Sequence, residues 1–147
     1  MKISRTWRAE DGAELVEFAV VLPLLLFVIL GIAEFGFIFQ RYEVVTNAAR
    51  EGARMAVLPG YTEADVDARV IAYATQGRLP GLTAANVTVQ DVTIDLGTGP
   101  AVACKRVTVT FTHTYLFIPA METFFGGNFN TVVLNAVSEM RVENPGG

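Results

Sequence analysis

One stretch limits what this chain can fold into more than any other. Residues 18–33 carry no charge, and Pro23 is the only residue there that is neither apolar nor glycine. Glu34 interrupts the run, and residues 35–39 resume it. An apolar helix of about 20 residues crosses the hydrocarbon core of a bilayer. Residues 18–39 therefore predict one membrane span, with Glu34 as its single ionisable exception. The other 108 of the 147 residues beyond position 39 suffice for a small domain with a modest core.

Composition removes several function classes. The net charge is −4 and no basic run is long, so nucleic acid is not an expected partner. Cys104 is the only cysteine, which forbids an intrachain disulfide and a four-cysteine zinc site. It is expected to be a small packing residue. His113 is the only histidine and sits in a threonine-rich stretch. It is expected to be a half-exposed sheet residue, because a catalytic base needs a partner. No phosphate-binding glycine loop is present and no Cys/His metal set. Glu63, Asp65 and Asp67 gather where a helix is expected to start, and helical spacing does not converge them on a calcium ion. No enzyme, cofactor, metal or small-molecule substrate is expected.

Lys2, Arg5 and Arg8 precede the apolar run. A basic start followed by apolar residues has three readings: a secretory signal peptide, an uncleaved anchor, or a prepilin-type signal cut on the cytoplasmic side of a helix that is retained. The run exceeds the 7–15 apolar residues of an ordinary signal peptide. An uncleaved anchor explains the length but not Gly12 or Glu17. Prepilin-type signals resemble glycine, four residues, then Glu-Phe, and Gly12 followed by Glu17 and Phe18 fits. Cleavage is expected between Gly12 and Ala13, where glycine suits an extended backbone approached closely by a protease. The new Ala13 ammonium would lie four residues from Glu17, on one helix face. A negative charge is also favoured near a helix N-terminus. In a packed assembly Glu17 can instead meet a neighbour's amine and set axial register. The simpler alternative leaves Glu14 and Glu17 as interfacial solvation.

The helix is expected to continue past the membrane. Residues 40–57 lack proline, and Val44, Val45, Ala48, Gly52 and Met55 approximate helical spacing. Pro59 and Gly60 end the pattern. A helix over residues 13–57 would be about 67 Å long. Its outer half is rich in small residues, which permit close packing on the chain's own sheet or on another subunit. Both uses stay open.

Residues 12–36 followed by "TNAAREGAR" resemble the TadE-like proteins, pseudopilins of the tight-adherence (Flp, type IVb-like) pilus system. The resemblance rests on Glu-Phe-Ala at 17–19, Leu-Pro at 22–23, Glu-Phe-Gly at 34–36 and Ala-Ala-Arg-Glu-Gly-Ala-Arg at 48–54. It implies processing by a prepilin peptidase and a role in pilus assembly at the inner membrane. Gly12, Ala13, Glu17 and Phe18 would carry recognition and cleavage. Glu17, Pro23, Glu34, Ala48 and Gly52 would serve helix packing and assembly. The partners implied are the peptidase, other pilins or pseudopilins, the inner-membrane assembly platform and the lipid bilayer. A TadF-like or TadG-like assignment stays open, with the short length against the larger TadG type. The other function class is a single-pass anchored binding module with no filament role.

The basic leader predicts a cytoplasmic N-terminus and an extracytoplasmic C-terminal domain, although Arg41, Arg50 and Arg54 follow the span and blunt that argument. Glu34 is expected near the outer interface, about 25 Å from Glu17 along the helix.

A second helix is expected over residues 62–76, opened by a Thr62/Asp65 capping box, with Val66, Val70, Tyr73 and Ala74 on its apolar face. Gly77, Pro80 and Gly81 close it. Strands are expected over residues 86–96, 102–114 and 131–142, with a bulge where alternation slips between Val89 and Val92. Residues 97–100 read as a hairpin turn, residues 115–129 as a buried loop or short helix or as an exposed docking patch, and residues 144–147 as a frayed tail. The expected fold is α+β: a long transmembrane helix extending into a small domain with a second helix and a three-stranded antiparallel sheet, the pilin plan. The expected divisions are a leader at 1–12, the long helix at 13–57 and the extracytoplasmic domain at 58–147.

Overall fold

The computed structural model describes residues 7–95, 97, 101–119, 126 and 130–142, with residues 7–11 by backbone alone. The elements are α1 (Trp7–Ala56), α2 (Glu63–Gln76), β1 (Val87–Ile94), β2 (Val102–Thr114) and β3 (Thr131–Arg141), with a 3-10 turn at Ala84–Asn86. The fold is the α+β arrangement expected for a pilin. The residues fall into two units, 1–36 with 115–130 and 37–114 with 131–147.

In the larger unit the sheet is a meander in the order β1-β2-β3. Both pairs are antiparallel, with Val87 opposite Val109 and Val109 opposite Ala136. Pairing runs one to one from Val87–Val109 to Ile94–Val102, so the expected bulge between Val89 and Val92 is absent. The slip in the pattern has another cause. Beyond Val89 the inward positions of β1 leave the core, and Asp91 there pairs across the strands with Lys105 at 2.6 Å. Val92 is half-buried on the opposite face beside Cys104, which is buried as expected.

The core is built by helix on sheet. Val45, Ala48, Ala49 and Ala53 from α1 meet Val66, Val70 and Ala74 from α2, and Val87, Val107, Val109 and Ala136 from the sheet. Fully burying each valine removes it from water at a gain of about 1.5–3 kcal/mol. The small residues of α1 let helix and sheet approach closely within this unit. A Cβ on Gly52 would stand 2.5 Å from Val70 Cγ2 and 3.2 Å from Val107 Cγ1.

Thr62 and Asp65 form the expected capping box: the Thr62 N–H donates to Asp65 Oδ2 at 2.8 Å, and the Asp65 N–H donates to Thr62 Oγ1. The Thr62 hydroxyl also donates to Asp65 Oδ2 at 2.7 Å, and this bond first, then the one from the Thr62 N–H, holds the Asp65 carboxyl below its usual range. Asp67 is pushed up by partial burial and then by Glu63.

The far end of α2 closes in an unusual way. The Leu79 N–H donates to Ala74 O and the Arg78 N–H to Thr75 O, the bond pair of a Schellman motif. The left-handed residue is Arg78, with φ of 60°. Gly77 keeps φ of −73° and does a different job, since a Cβ there would lie 2.6 Å from Val44 Cγ1. Glycine is spent on close approach to α1, and arginine takes the strained dihedral.

Candidate functional site

The first candidate region is the N-terminal half of α1. Its described side chains from Gly12 to Leu26 are all exposed, including Phe18, Leu22, Leu24 and Leu25. A water-facing helix does not present apolar groups on every side. Residues 12–56 form a helix long and apolar enough to cross a membrane, and its most apolar window is not buried by the described residues. This fits a single-pass membrane protein. Pro23 lies inside the helix without ending it.

Gly12 and Ala13 lie within α1, which begins at Trp7 rather than at Ala13. The backbone at Gly12 is thus helical, where an extended backbone was expected for cleavage. Among the described residues, a Cβ on Gly12 would meet nothing within 4 Å. Glu14 and Glu17 are exposed, and Glu17 stands one helical turn beyond Ala13 on the same face. Phe18 is 60% exposed at the start of the apolar run.

Glu34 behaves differently from Glu17. It is 1% exposed, although it lies in the apolar run. Its Oε2 accepts from the Leu116 N–H at 2.9 Å and from the Phe117 N–H at 2.7 Å, and Oε1 also faces the Leu116 N–H. Bonds from neutral donors to a carboxylate are roughly twice as strong as neutral pairs. Phe27 and Leu30, less exposed than their neighbours, share the Glu34 face of the helix. Sequence reasoning assigned Glu34 to packing or an interface and missed its partners, which lie 82 and 83 residues away.

The described part of the loop after β2 is neither uniformly buried nor uniformly exposed. Leu116 is 55% exposed, while Tyr115, Phe117, Ile118 and Pro119 are half-buried. The Tyr115 N–H donates to Asn130 O at 3.1 Å and ties the loop's ends together. Residues 120–125 and 127–129, the hairpin turn beyond Gly97 and the tail at 143–147 lie outside the described residues.

In the larger unit His113 is fully buried, which corrects the half-exposed expectation. It lies on the inward face of β2 with Val107, Val109 and Phe111, and Arg41 Nη1 donates to its Nδ1. The half-buried Arg41 satisfies the ring where threonine neighbours face outward. Ala48 and Gly52, expected at packing positions, are both buried inside this unit.

Among the described residues no group of three or more His, Cys, Asp or Glu side chains is placed to hold a metal ion. Besides Arg41 with His113, ionisable side chains among the described residues meet in surface pairs, Asp91 with Lys105, Arg69 with Glu51 and Arg106 with Glu139, of the kind worth at most about 1 kcal/mol.

Residues 12–54 match the family model of TadE-like proteins. That segment holds the Gly12–Phe18 pattern, the exposed apolar helix, Glu34 and the buried small residues. No match was found among curated proteins, nor among solved structures.

Proposed function

With a TadE-like segment over residues 12–54 as the premise, we propose that the chain is a pseudopilin or minor pilin of a tight-adherence pilus. A prepilin peptidase cuts it between Gly12 and Ala13, and residues 18–39 hold it in the inner membrane. The observation that carries this reading is the Gly12, Glu17, Phe18 pattern at the edge of an exposed apolar helix. The composition of α1 supports a retained helix, because its outer half supplies core residues of the folded unit.

Cleavage within a helix requires local unwinding. Gly12 costs an interior helix about 1 kcal/mol relative to alanine, which makes this the easier place to open. The N-terminus lies in the cytoplasm and the folded unit outside it.

After cleavage Glu17 pairs with the Ala13 ammonium of a neighbouring subunit and sets register in the assembly platform. Glu17→Ala tests this. The variant is expected to be inserted and cleaved, yet to lose crosslinks between subunits and to fail to support pili. Retained crosslinks and pili would reduce Glu17 to an interfacial residue. Loss of cleavage would move it to peptidase recognition.

A second reading, an anchored binding module, draws on Val133 and Val137, which are 56% and 58% exposed on the outward face of β3. An unprocessed, monomeric chain in the membrane would favour it.

A further inference from the structure

The reading above gives the membrane one contact, the helix. Glu34 points to another. It stands five residues before the apolar run ends at Phe39, about 7.5 Å of helical rise. Glu34 is nonetheless buried, and what it binds is backbone: the N–H groups of Leu116 and Phe117. Non-helical backbone at membrane depth is tolerated only where its polar groups are satisfied by protein. A carboxylate that takes two successive N–H groups meets this need at the one point where the apolar run carries a charge.

The segment so held is apolar. Residues 115–119 read Tyr-Leu-Phe-Ile-Pro, with no charged side chain. Leu116 is 55% exposed while its N–H is bonded to Glu34, and the helix positions near Glu34 in sequence, Ile32 and Phe35, are 69% and 70% exposed. Leu116 therefore extends the apolar surface of the helix rather than forming a separate patch. Tyr115, with an apolar body and a polar tip, is of the type enriched at membrane interfaces.

We propose that residues 115–119 form a second membrane contact, a short interfacial segment set into the lipid headgroup boundary where α1 leaves the bilayer, with Glu34 as its anchor. The depth implied by Glu34 agrees with the roughly 5–10 Å to which interfacial segments bury their apolar face. The occupant is lipid because the surface is continuous with the membrane span. The proposal rests on residues 18–39 crossing the bilayer, so its test reports on both.

The test uses the full chain in lipid nanodiscs, with Cys104→Ala and a single nitroxide on Leu116→Cys. Collision with oxygen, which concentrates in hydrocarbon, is compared with collision with a water-soluble nickel chelate. Leu25→Cys marks the span and Val137→Cys marks water. The oxygen-to-nickel ratio at position 116 is expected to be several-fold above that at 137 and below that at 25. A ratio at 116 equal to that at 137, with 25 deep in lipid, overturns the interfacial segment alone. Water-like ratios at both 25 and 116 overturn the membrane span as well. Protection of 116 from both reagents means that protein covers it, and overturns lipid as the occupant. In Glu34→Ala the ratio at 116 should fall towards that at 137, and Glu34→Gln should keep part of it. An unchanged ratio in Glu34→Ala removes Glu34 as the anchor.

Discussion

Gly52 lies so close to Val70 that a Cβ on it would stand 2.5 Å from Val70 Cγ2. Val70 is fully buried and, as a β-branched residue in a helix, has little rotamer freedom to retreat. Overpacking of this kind costs about 1–3 kcal/mol. The helix-propensity gain from glycine to alanine returns about 1 kcal/mol. Gly52→Ala should therefore be neutral to destabilising by about 2 kcal/mol, and Gly52→Val clearly worse. Denaturant titration of the protein in detergent, followed by the loss of sheet signal, checks the order.

The contrast lies in the same helix. Among the described residues, a Cβ at Gly31 or Gly36 would meet nothing within 4 Å. Gly31→Ala and Gly36→Ala should leave the fold's stability unchanged in that titration. A loss of crosslinking between subunits with stability intact would place those glycines at a helix–helix contact in the membrane.

At the end of α2, Gly77 and Arg78 give opposite predictions. Arg78→Gly relieves a left-handed dihedral that costs an L-residue about 1–2 kcal/mol, so it should stabilise by about 1 kcal/mol once the unfolded chain's extra freedom is subtracted. Gly77→Ala drives a methyl into Val44 and should destabilise. Thermal unfolding of the two variants side by side checks the sign of each.

The start of α2 predicts a pH dependence. The Asp65 carboxyl has a lowered folded-state pKa. Its contribution is present above the unfolded value and is lost as pH falls through the folded one. Asp67 is raised, so its charged form opposes folding above the unfolded value, and that opposition is relieved on acidification. Asp65→Asn should lose stability at neutral pH and flatten the acid limb. Asp67→Asn should gain stability at neutral pH. Thr62→Ala, which removes the cap, should cost about 1 kcal/mol. Stability curves between neutral and acid pH read all three.

What was legible in the sequence is what local pattern determines. The capping box was visible because Thr62 and Asp65 are three residues apart. β2 was placed at its observed ends, and β1 and β3 to within two residues, because alternation and flanking turns are local. The apolar helix and its TadE-like motifs were legible for the same reason. The missed features depend on distant partners. Burial of His113 is made possible by Arg41, 72 residues away. Glu34 is satisfied by backbone N–H groups, which every residue but proline carries and no motif marks. Gly77 looked like a helix stop, and only Val44 across the interface reveals why glycine sits one place early.

The proposed function requires that α1 be retained after processing at its N-terminal edge. Intact mass spectrometry of the protein extracted from membranes of cells carrying the peptidase tests it most directly. The mass of a chain beginning at Ala13 is the predicted result, with the precursor accumulating when Gly12 is replaced by a bulky residue. A chain beginning at Met1 or at Glu34 would contradict it.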